Sequence, residues 1–212
     1  MTLRLFLLRH GETEASRTGG YCGRTDLDLT EAGRQMAEDF AAAYRDHPWA
    51  SVYVSPMRRT QATAQPLCAS AGLQPLLREG LREIDFGDWE GKSPAEVQQG
   101  YSGDYLRWLG DSGWNSPTGG ERGIDVTLRA LAVLDEIQHR HSEGDVLVVS
   151  HKATIRILLC ALLGIDIGGY RDRIGISTAS LAIVEFHRHG PLLTRLGDRS
   201  HLRPELRDLP GT

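Results

Sequence analysis

The hydrophobic positions of the chain fall into short, continuous runs that stop abruptly at polar residues. Such runs are typical of strands that are buried on both faces of a parallel sheet. The predicted strands are residues 5–8, 50–55, 74–78 and 146–149, followed by a hairpin of 180–186 and 191–196.

Between these runs, apolar positions recur every three or four residues, which predicts helices with one buried face. Predicted helices span about 31–45, 57–71, 122–140 and 153–163. Thr30 is a suitable N-cap, and Gly72 and Gly164 are suitable C-caps. In the third helix we expect a buried face made of Ile124, Leu128, Leu131, Leu134 and Ile137. The alternation of strands and helices predicts an α/β fold, with a mainly parallel sheet covered by helices on both faces.

Residues capable of chemistry follow two of the predicted strands. Arg9 and His10 end the first strand, and His151 follows the strand at 146–149. Open α/β sheets bind their ligands at the carboxyl ends of their strands. A turn at Gly11 lets the guanidinium and the imidazole converge on one ligand; the alternative is a strand that simply ends in solvent.

Arg58 and Arg59 fall at the start of the helix predicted at 57–71. The positive end of a helix dipole disfavours cations, so a nearby anion would explain both arginines. A phosphate group is a suitable anion, because the planar guanidinium matches two of its oxygens. An imidazole beside such a group can be a nucleophile, a general base or a metal ligand.

Length and charge narrow the class of partner. The chain has 212 residues, within the range of one domain, and a net charge of -4 without a long basic run. This balance argues against nucleic acid and favours a small substrate. The apolar amino-terminal stretch is too short for a signal peptide or a membrane span, so no membrane partner is expected. Whether the chain forms a homo-oligomer is left open.

The cysteines indicate the compartment. Cys22, Cys68 and Cys160 are scattered and lack metal-ligand spacing. They are therefore interpreted as reduced thiols, which fits a cytoplasmic location.

The motif at residues 9–13, Arg-His-Gly-Glu-Thr, resembles the signature of the histidine phosphatase superfamily, which has the phosphoglycerate-mutase-like fold. Arg59, an acidic loop at 81–91 and His151 follow in the order that the family shows. The resemblance extends from residue 3 to about residue 186.

The resemblance implies a three-layer α/β/α architecture with a small helical cap. We expect one domain over residues 1–212 and a cap inserted at about 91–118. The tail at about 199–212 is charged and contains proline, so it is expected to be loose. Aromatic residues in the cap either pack it against the body or help to select the substrate: Tyr101, Tyr105, Trp108 and Trp114.

The resemblance also implies the roles of five site residues. His10 is the expected nucleophile, which forms a phosphohistidine. Arg9 and Arg59 are expected to hold the phosphate, and His151 to donate to its oxygens. Glu83 is the expected general acid, with Asp85, Asp88 and Glu90 as rivals in the same loop.

Other positions depart from the family pattern and concern the substrate. Ser16 stands where the family has asparagine, so it either contacts the phosphate or makes no contact. Lys152 follows the second histidine in place of the usual glycine, and either faces a second negative group or faces solvent. Arg24, in a glycine-rich loop, is a further candidate for binding the substrate beyond its phosphate.

The predicted function is a phosphatase that hydrolyses a small phosphorylated metabolite without cofactor or metal. Two alternatives remain open: phosphoryl transfer of the phosphoglycerate mutase type, and a non-catalytic sensor of phosphorylated ligands. The short interval between Glu83 and His151 favours hydrolysis, because the mutases carry a longer insertion there. A metal-dependent hydrolase is disfavoured because the remaining histidines lack tight ligand spacing: His139, His141, His187, His189 and His201.

Overall fold

The computed structural model describes residues 2–209, and its centre is one six-stranded sheet. The strands are β1 (Leu3–Arg9), β2 (Trp49–Val54), β3 (Leu76–Leu77), β4 (Gly144–Ser150), β5 (Leu181–His187) and β6 (Gly190–Asp198). Their order in the sheet is β3-β2-β4-β1-β5-β6. The first four strands pair in parallel, and β5 and β6 join antiparallel as the predicted hairpin.

Helices cover both faces of the sheet, as expected for three layers. The α-helices are α1 (Glu14–Thr18), α2 (Glu31–Tyr44), α3 (Arg58–Ala71), α4 (Pro94–Gly100), α5 (Ser102–Gly110), α6 (Gly123–Arg140), α7 (Lys152–Leu163), α8 (Tyr170–Arg173) and α9 (Pro204–Arg207). Side chains of α2 and α3 share one core cluster with the sheet, and side chains of α6 and α7 share the other. The structure therefore confirms the α/β/α fold.

Strand β1 shows why its sequence is apolar without alternation. Leu5 and Leu7 belong to the core on the α6 and α7 side, whereas Phe6 and Leu8 belong to the core on the α2 and α3 side. Successive side chains of a strand point to opposite faces, so both sets are buried. Each such burial contributes about 2 kcal/mol, and the strand is fixed at the centre of the fold.

The predicted helix ends are confirmed. The side chain of Thr30 caps α2 by accepting the backbone N–H of Gly33 at 3.1 Å. Gly72 and Gly164 end α3 and α7 at a φ of 67° each, in the left-handed region that glycine adopts without strain.

The predicted buried face of α6 is partly wrong. Leu128 is 63% exposed, and the fully buried positions are Val126, Ala130 and Ile137. The helix carries two apolar stripes, and the one that packs on the sheet includes Val126 and Ala130. Apolar spacing alone does not tell which stripe packs inward.

Helices α4 and α5 lie within the segment predicted as a cap, and the pair is called the cap. Trp108 of α5 is buried and contacts Trp89 edge to face, with ring centroids 5.2 Å apart. Tyr101 and Tyr105 pack against the same cluster. In contrast, Trp114 is 60% exposed and does not belong to this cluster.

Residues 199–209 differ from the loose tail expected there. Leu202 and Leu206 are buried against Met36, and Arg203 pairs with Asp39 of α2. The two leucines are four residues apart and share one face of a turn, which gives this segment a small core of its own. Residues 210–212 of the expected tail lie outside the described residues.

Two further findings concern membrane-spanning helices and the cysteines. Between residues 2 and 209, no helix has both the length and the apolar character that crossing a bilayer requires. The cysteines Cys22, Cys68 and Cys160 are free thiols.

Candidate active site

The carboxyl ends of β1 and β4 meet at one edge of the sheet. Arg9 pairs in register with Ser150, so the residues that follow them, His10 and His151, are neighbours. The ring centroids of these histidines lie 5.2 Å apart. A cavity of about 380 Å³ opens beside His10, which is the position that the sequence predicts for a ligand.

The loop after β1 requires glycine at two positions. A Cβ on Gly11 would lie 2.5 Å from the carbonyl oxygen of Gly33, and a Cβ on Gly33 would lie 2.1 Å from that of Glu12. The first turn of α2 therefore packs directly on the backbone that follows His10. Thr63 of α3 accepts the Gly11 N–H at 3.0 Å. These contacts fix the direction in which His10 leaves the strand.

His10 is buried and neutral. Its Nδ1 donates to the Gly11 carbonyl oxygen at 2.7 Å, which leaves Nε2 unprotonated. Burial lowers the pKa of His10 well below 6.5, and the charges of Arg59 and Arg9 lower it further. The side chain lines the cavity, so an unprotonated imidazole nitrogen is available for attack.

Arg9 is a buried cation surrounded by other cations. Its Nη1 donates to the Ile176 carbonyl oxygen at 2.9 Å, while its buried Nε has no acceptor within residues 2–209. Burial lowers the pKa of Arg9 to about 9, and Arg156 and Arg59 act in the same direction. Glu83 opposes them. A bound anion would offset this repulsion.

Arg59 is fixed by three acceptors. Its Nη1 and Nη2 donate to the carbonyl oxygens of Thr25 and Gly23 at 2.9 and 2.8 Å. Its Nε donates to Nδ1 of His151 at 3.1 Å. A guanidinium has five N–H groups, so one on each Nη is left for a ligand in the cavity that Arg59 lines.

His151 lies behind Arg59 and does not line the cavity. Because its Nδ1 accepts from Arg59, the ring proton is on Nε2 and is donated to Ser55 Oγ at 2.8 Å. Burial lowers the pKa of His151 well below 6.5, with Arg59 as the next cause. Both ring nitrogens are thus engaged by protein groups, and the predicted donation to a phosphate requires one of these contacts to open.

Glu83 connects the acidic loop to α7. Its Oε1 accepts the Thr154 N–H and its Oε2 accepts the Ala153 N–H, both at 3.1 Å, and Oε1 also accepts its neighbour's N–H, that of Ile84, at 3.0 Å. The carboxylate therefore caps the amino end of α7, where the helix dipole favours negative charge. Of the four carboxylates considered in this loop, Glu83 alone lines the cavity.

Glu90, which the sequence analysis names as a rival general acid, binds a backbone loop instead of lining the cavity. Its carboxylate accepts the backbone N–H groups of Gly23, Arg24 and Thr25 at 2.8, 3.0 and 3.3 Å. These residues include both carbonyl groups that accept from Arg59. Glu90 thus fixes the loop that fixes Arg59.

The structure places the three remaining candidates differently. Ser16 lines the cavity, but its hydroxyl donates to the Thr13 carbonyl and accepts the Thr13 N–H, both at 2.9 Å, in the capping box of α1. Arg24 is not brought to the cavity, because its exposed guanidinium extends to Asp85 at 3.7 Å. Lys152 is half-buried and lines the cavity.

Two cations of the cavity were missed in the sequence. Arg156 of α7 and Arg171 of α8 line the cavity together with Lys152. The position of Arg156, four residues after Lys152, is a signal that could have found it, since both share one helix face. Nothing in the sequence near Arg171 indicates that a short helix brings it to the cavity.

No candidate metal centre occurs in the described part of the chain. Over residues 2–209, no group of three or more His, Cys, Asp or Glu side chains is arranged to hold an ion. The expectation of metal-free chemistry stays a prediction that needs a measurement.

A sheet edge that carries a neutral histidine beside two buried arginines is suited to hold an anion. The sequence profile of the histidine phosphatase superfamily (branch 1) matches residues 5–199. The chain belongs to this superfamily, as the motif at residues 9–13 predicts.

Known relatives agree with this assignment over most of the chain. Phosphoserine phosphatase 1 of Hydrogenobacter thermophilus is 32% identical over 94% of this chain and 94% of its own. The adenosylcobalamin/alpha-ribazole phosphatase of Escherichia coli K12 is 32% identical over 76% of this chain and 80% of its own. The solved structure of a phosphoserine phosphatase from Entamoeba histolytica, in complex with 3-phosphoglyceric acid, is similar with a TM-score of 0.84. It is 30% identical and covers 95% of this chain and 100% of its own.

Proposed function

We propose that this protein is a phosphomonoesterase that hydrolyses a small phosphorylated metabolite through a phosphohistidine on His10. The observation that carries the proposal is the hydrogen bond from Nδ1 of His10 to the Gly11 carbonyl oxygen. It leaves Nε2 unprotonated on a side chain that lines the cavity together with two buried arginines.

In the first step of the proposed reaction, Nε2 of His10 attacks the phosphorus and the bond to the ester oxygen breaks. Glu83, in its protonated form, gives its proton to that oxygen, and the alcohol leaves. Arg9 and Arg59 hold the other phosphate oxygens with the N–H groups that the protein leaves free, so the charge of the transition state is stabilised.

In the second step, Glu83 takes a proton from water, and the hydroxide attacks the phosphorus of the phosphohistidine. The phosphorus–nitrogen bond breaks, inorganic phosphate leaves, and His10 returns to its neutral form. No metal or cofactor takes part in this scheme. His151 orients Arg59 in the ligand-free site, and its direct donation to the phosphate stays a prediction.

The relatives support the substrate class at a coarse level. Their names specify phosphoserine and alpha-ribazole phosphate, which are small phosphorylated metabolites with different alcohols. We extend the class, rather than either substrate, to this chain. The free thiols favour a cytoplasmic location for the reaction. Assembly into a homo-oligomer stays a prediction, and size-exclusion chromatography with light scattering tests it.

Two other functions would use the same site. A phosphoglycerate mutase-type enzyme would pass the phosphoryl group to a second alcohol instead of water. The cap, whose helices are α4 and α5, is short, and this favours water as the acceptor. A sensor of phosphorylated ligands would bind without turnover, but this chain keeps the nucleophile, the acid and both arginines.

The test is phosphate release from 4-nitrophenyl phosphate and from a panel of small phosphomonoesters in excess chelator. Wild type is compared with His10→Ala, and with His139→Ala as a matched control, since His139 is exposed on α6. We expect release that survives the chelator, is lost in His10→Ala and is unchanged in His139→Ala. Release that requires a divalent metal, or that persists in His10→Ala, would contradict the proposal.

A further inference from the structure

The cavity holds more positive charge than a phosphate group needs. Its wall contains five cationic side chains and a single carboxylate, Glu83. Two of the cations, Arg9 and Arg59, are assigned to the phosphate. The other three lie on α7 and α8, two helices that contact each other: Lys152, Arg156 and Arg171. A phosphate dianion held by Arg9 and Arg59 therefore leaves an excess of positive charge at these two helices.

Lys152 and Arg156 project from one face of α7, because they are four residues apart. Lys152 is the first residue of that helix, where the dipole disfavours a cation. Burial, together with the charges of Arg9, Arg156 and Arg171, lowers the pKa of Lys152 to about 8, although Glu83 acts in the opposite direction. Each feature makes an ammonium group unfavourable at this position in the absence of an anion.

At Arg156, the carboxylates of Glu83 and Asp172 only partly offset the effects of burial and of the charge of Arg171. Burial lowers the pKa of Arg156, and its buried Nε has no acceptor within residues 2–209. Arg171 is held at the cavity wall by Trp108, with its guanidinium carbon 3.8 Å from the ring centroid. Within the described chain, none of these three cations forms an ion pair with a carboxylate, whereas most arginines on the surface do.

We propose that Lys152, Arg156 and Arg171 form a second anion subsite, and that it binds a carboxylate of the substrate. The preferred substrates are then phosphomonoesters whose alcohol carries a carboxylate within reach of this wall. The inference rests on the proposed phosphatase function for its meaning, but the subsite itself is a binding property that can be measured separately.

The test compares two ligands that differ in one group. 3-Phosphoglycerate has a carboxylate where glycerol 3-phosphate has a hydroxymethyl group. Their dissociation constants are measured by titration calorimetry on the His10→Ala protein, so that neither ligand is consumed. We expect 3-phosphoglycerate to bind about tenfold or more tightly, which is typical of one charge-assisted contact in a partly desolvated site.

Variants then locate the preference. Lys152→Met and Arg156→Met, each placed in the His10→Ala background, should reduce the ratio of the two dissociation constants towards one. Arg173→Met is the matched control, because Arg173 lies on α8 beside Arg171 but is exposed and outside the cavity. Arg173→Met should leave the ratio of the two dissociation constants unchanged. Thermal unfolding of each variant confirms that the fold is retained.

Two results would overturn the subsite. One is equal binding of both ligands to the His10→Ala protein. The other is a loss of affinity for both ligands in equal proportion when Lys152 or Arg156 is replaced, which would assign these cations to the phosphate alone. Selective binding without any phosphate release from the wild type would support the subsite and remove the proposed hydrolysis. Hydrolysis by the wild type without selective binding would support the proposed hydrolysis and remove the subsite.

Discussion

Arg59 donates its Nε–H to Nδ1 of His151 at 3.1 Å, and both side chains are almost fully buried. This contact joins the start of α3 to the end of β4 across the sheet edge. Together with the carbonyl oxygens of Gly23 and Thr25, it leaves the guanidinium no freedom to rotate. The two unused N–H groups of Arg59 therefore have a fixed direction before any ligand arrives, which lowers the cost of ordering the site.

Replacing Arg59 with lysine tests this arrangement. Lysine keeps the charge but cannot donate to three fixed acceptors and a ligand at once. We expect kcat/KM for phosphomonoesters to fall by roughly 100-fold or more, the effect of losing two charge-assisted hydrogen bonds. Arg58→Lys is the control, because the exposed Arg58 pairs with Asp28 and should change kcat/KM less than about twofold. Equal effects of both substitutions would be evidence against the assignment of Arg59.

Glu90 is expected to act on the site through Arg59. In Glu90→Gln, an amide N–H₂ group would face the backbone donors of residues 23–25, so this loop and its carbonyl oxygens should shift. We expect kcat/KM to fall on the order of tenfold, the effect of one hydrogen bond to a charged group. Asp88→Asn in the same loop should have little effect, since Asp88 is exposed.

A double-mutant cycle separates this positioning role from a loss of stability. If Glu90 acts through Arg59, Glu90→Gln should add little to the defect of Arg59→Lys. Fully additive effects on kcat/KM would show that the two residues act independently, and would contradict the proposal that Glu90 acts through Arg59.

Glu83→Gln should have an effect that depends on the leaving group. An alkyl alcohol needs a proton to leave, so we expect kcat for alkyl phosphates to fall by roughly 100-fold or more. 4-Nitrophenolate leaves without a proton, so the phosphohistidine should still form and then persist, because no base activates water. Stopped-flow absorbance should therefore show a burst of nitrophenolate that is larger relative to the steady rate than in wild type. An equal loss in the rate of phosphohistidine formation for both classes of ester would rule out Glu83 as the acid.

The buried histidines predict how stability depends on pH. Burial lowers the pKa values of His10 and His151 well below 6.5, and that of His201 to about 4. Below pH 6.5 the unfolded chain therefore binds more protons than the folded chain. The free energy of unfolding is predicted to be fully retained above about pH 6.5 and to decrease as the pH falls below that value.

Urea unfolding at several pH values between 7 and 5 measures this dependence. His201→Phe keeps a ring against Phe40 but cannot titrate, and should reduce the slope by up to about 1.4 kcal/mol per pH unit. His139→Phe, at an exposed position, should leave the slope unchanged. A slope in His201→Phe equal to that of wild type would show that His201 is not held neutral by the fold.

Much of the fold could be predicted because its signals are local. The run at 5–8 is apolar at every position because β1 is buried on both faces, and Thr30, Gly72 and Gly164 mark helix ends by their own backbone chemistry. Arg9, His10 and His151 could be placed together because parallel strands bring their carboxyl ends to one edge.

What could not be predicted depends on tertiary contacts. Arg24 and Arg171 are both arginines in irregular or short segments, yet only Arg171 lines the cavity, because Trp108 of the cap holds it there. Glu90 was considered as an acid, since a sequence does not show that three backbone N–H groups from a distant loop surround its carboxylate. Leu128 is predicted in the core because it continues the three- and four-residue spacing of Ile124 and Leu131, but this spacing does not show which stripe of α6 packs inward.

The central claim is that His10 carries the phosphoryl group during turnover. The most direct measurement is rapid acid-free denaturation of wild-type protein mixed with 4-nitrophenyl phosphate, followed by mass spectrometry of the intact chain and its peptides at neutral or basic pH. We predict a mass increase of one phosphoryl group on the peptide that contains His10, which disappears on brief acid treatment and is absent in His10→Ala. An acid-stable adduct, an adduct on another residue, or phosphate release by His10→Ala at the wild-type rate would contradict the account.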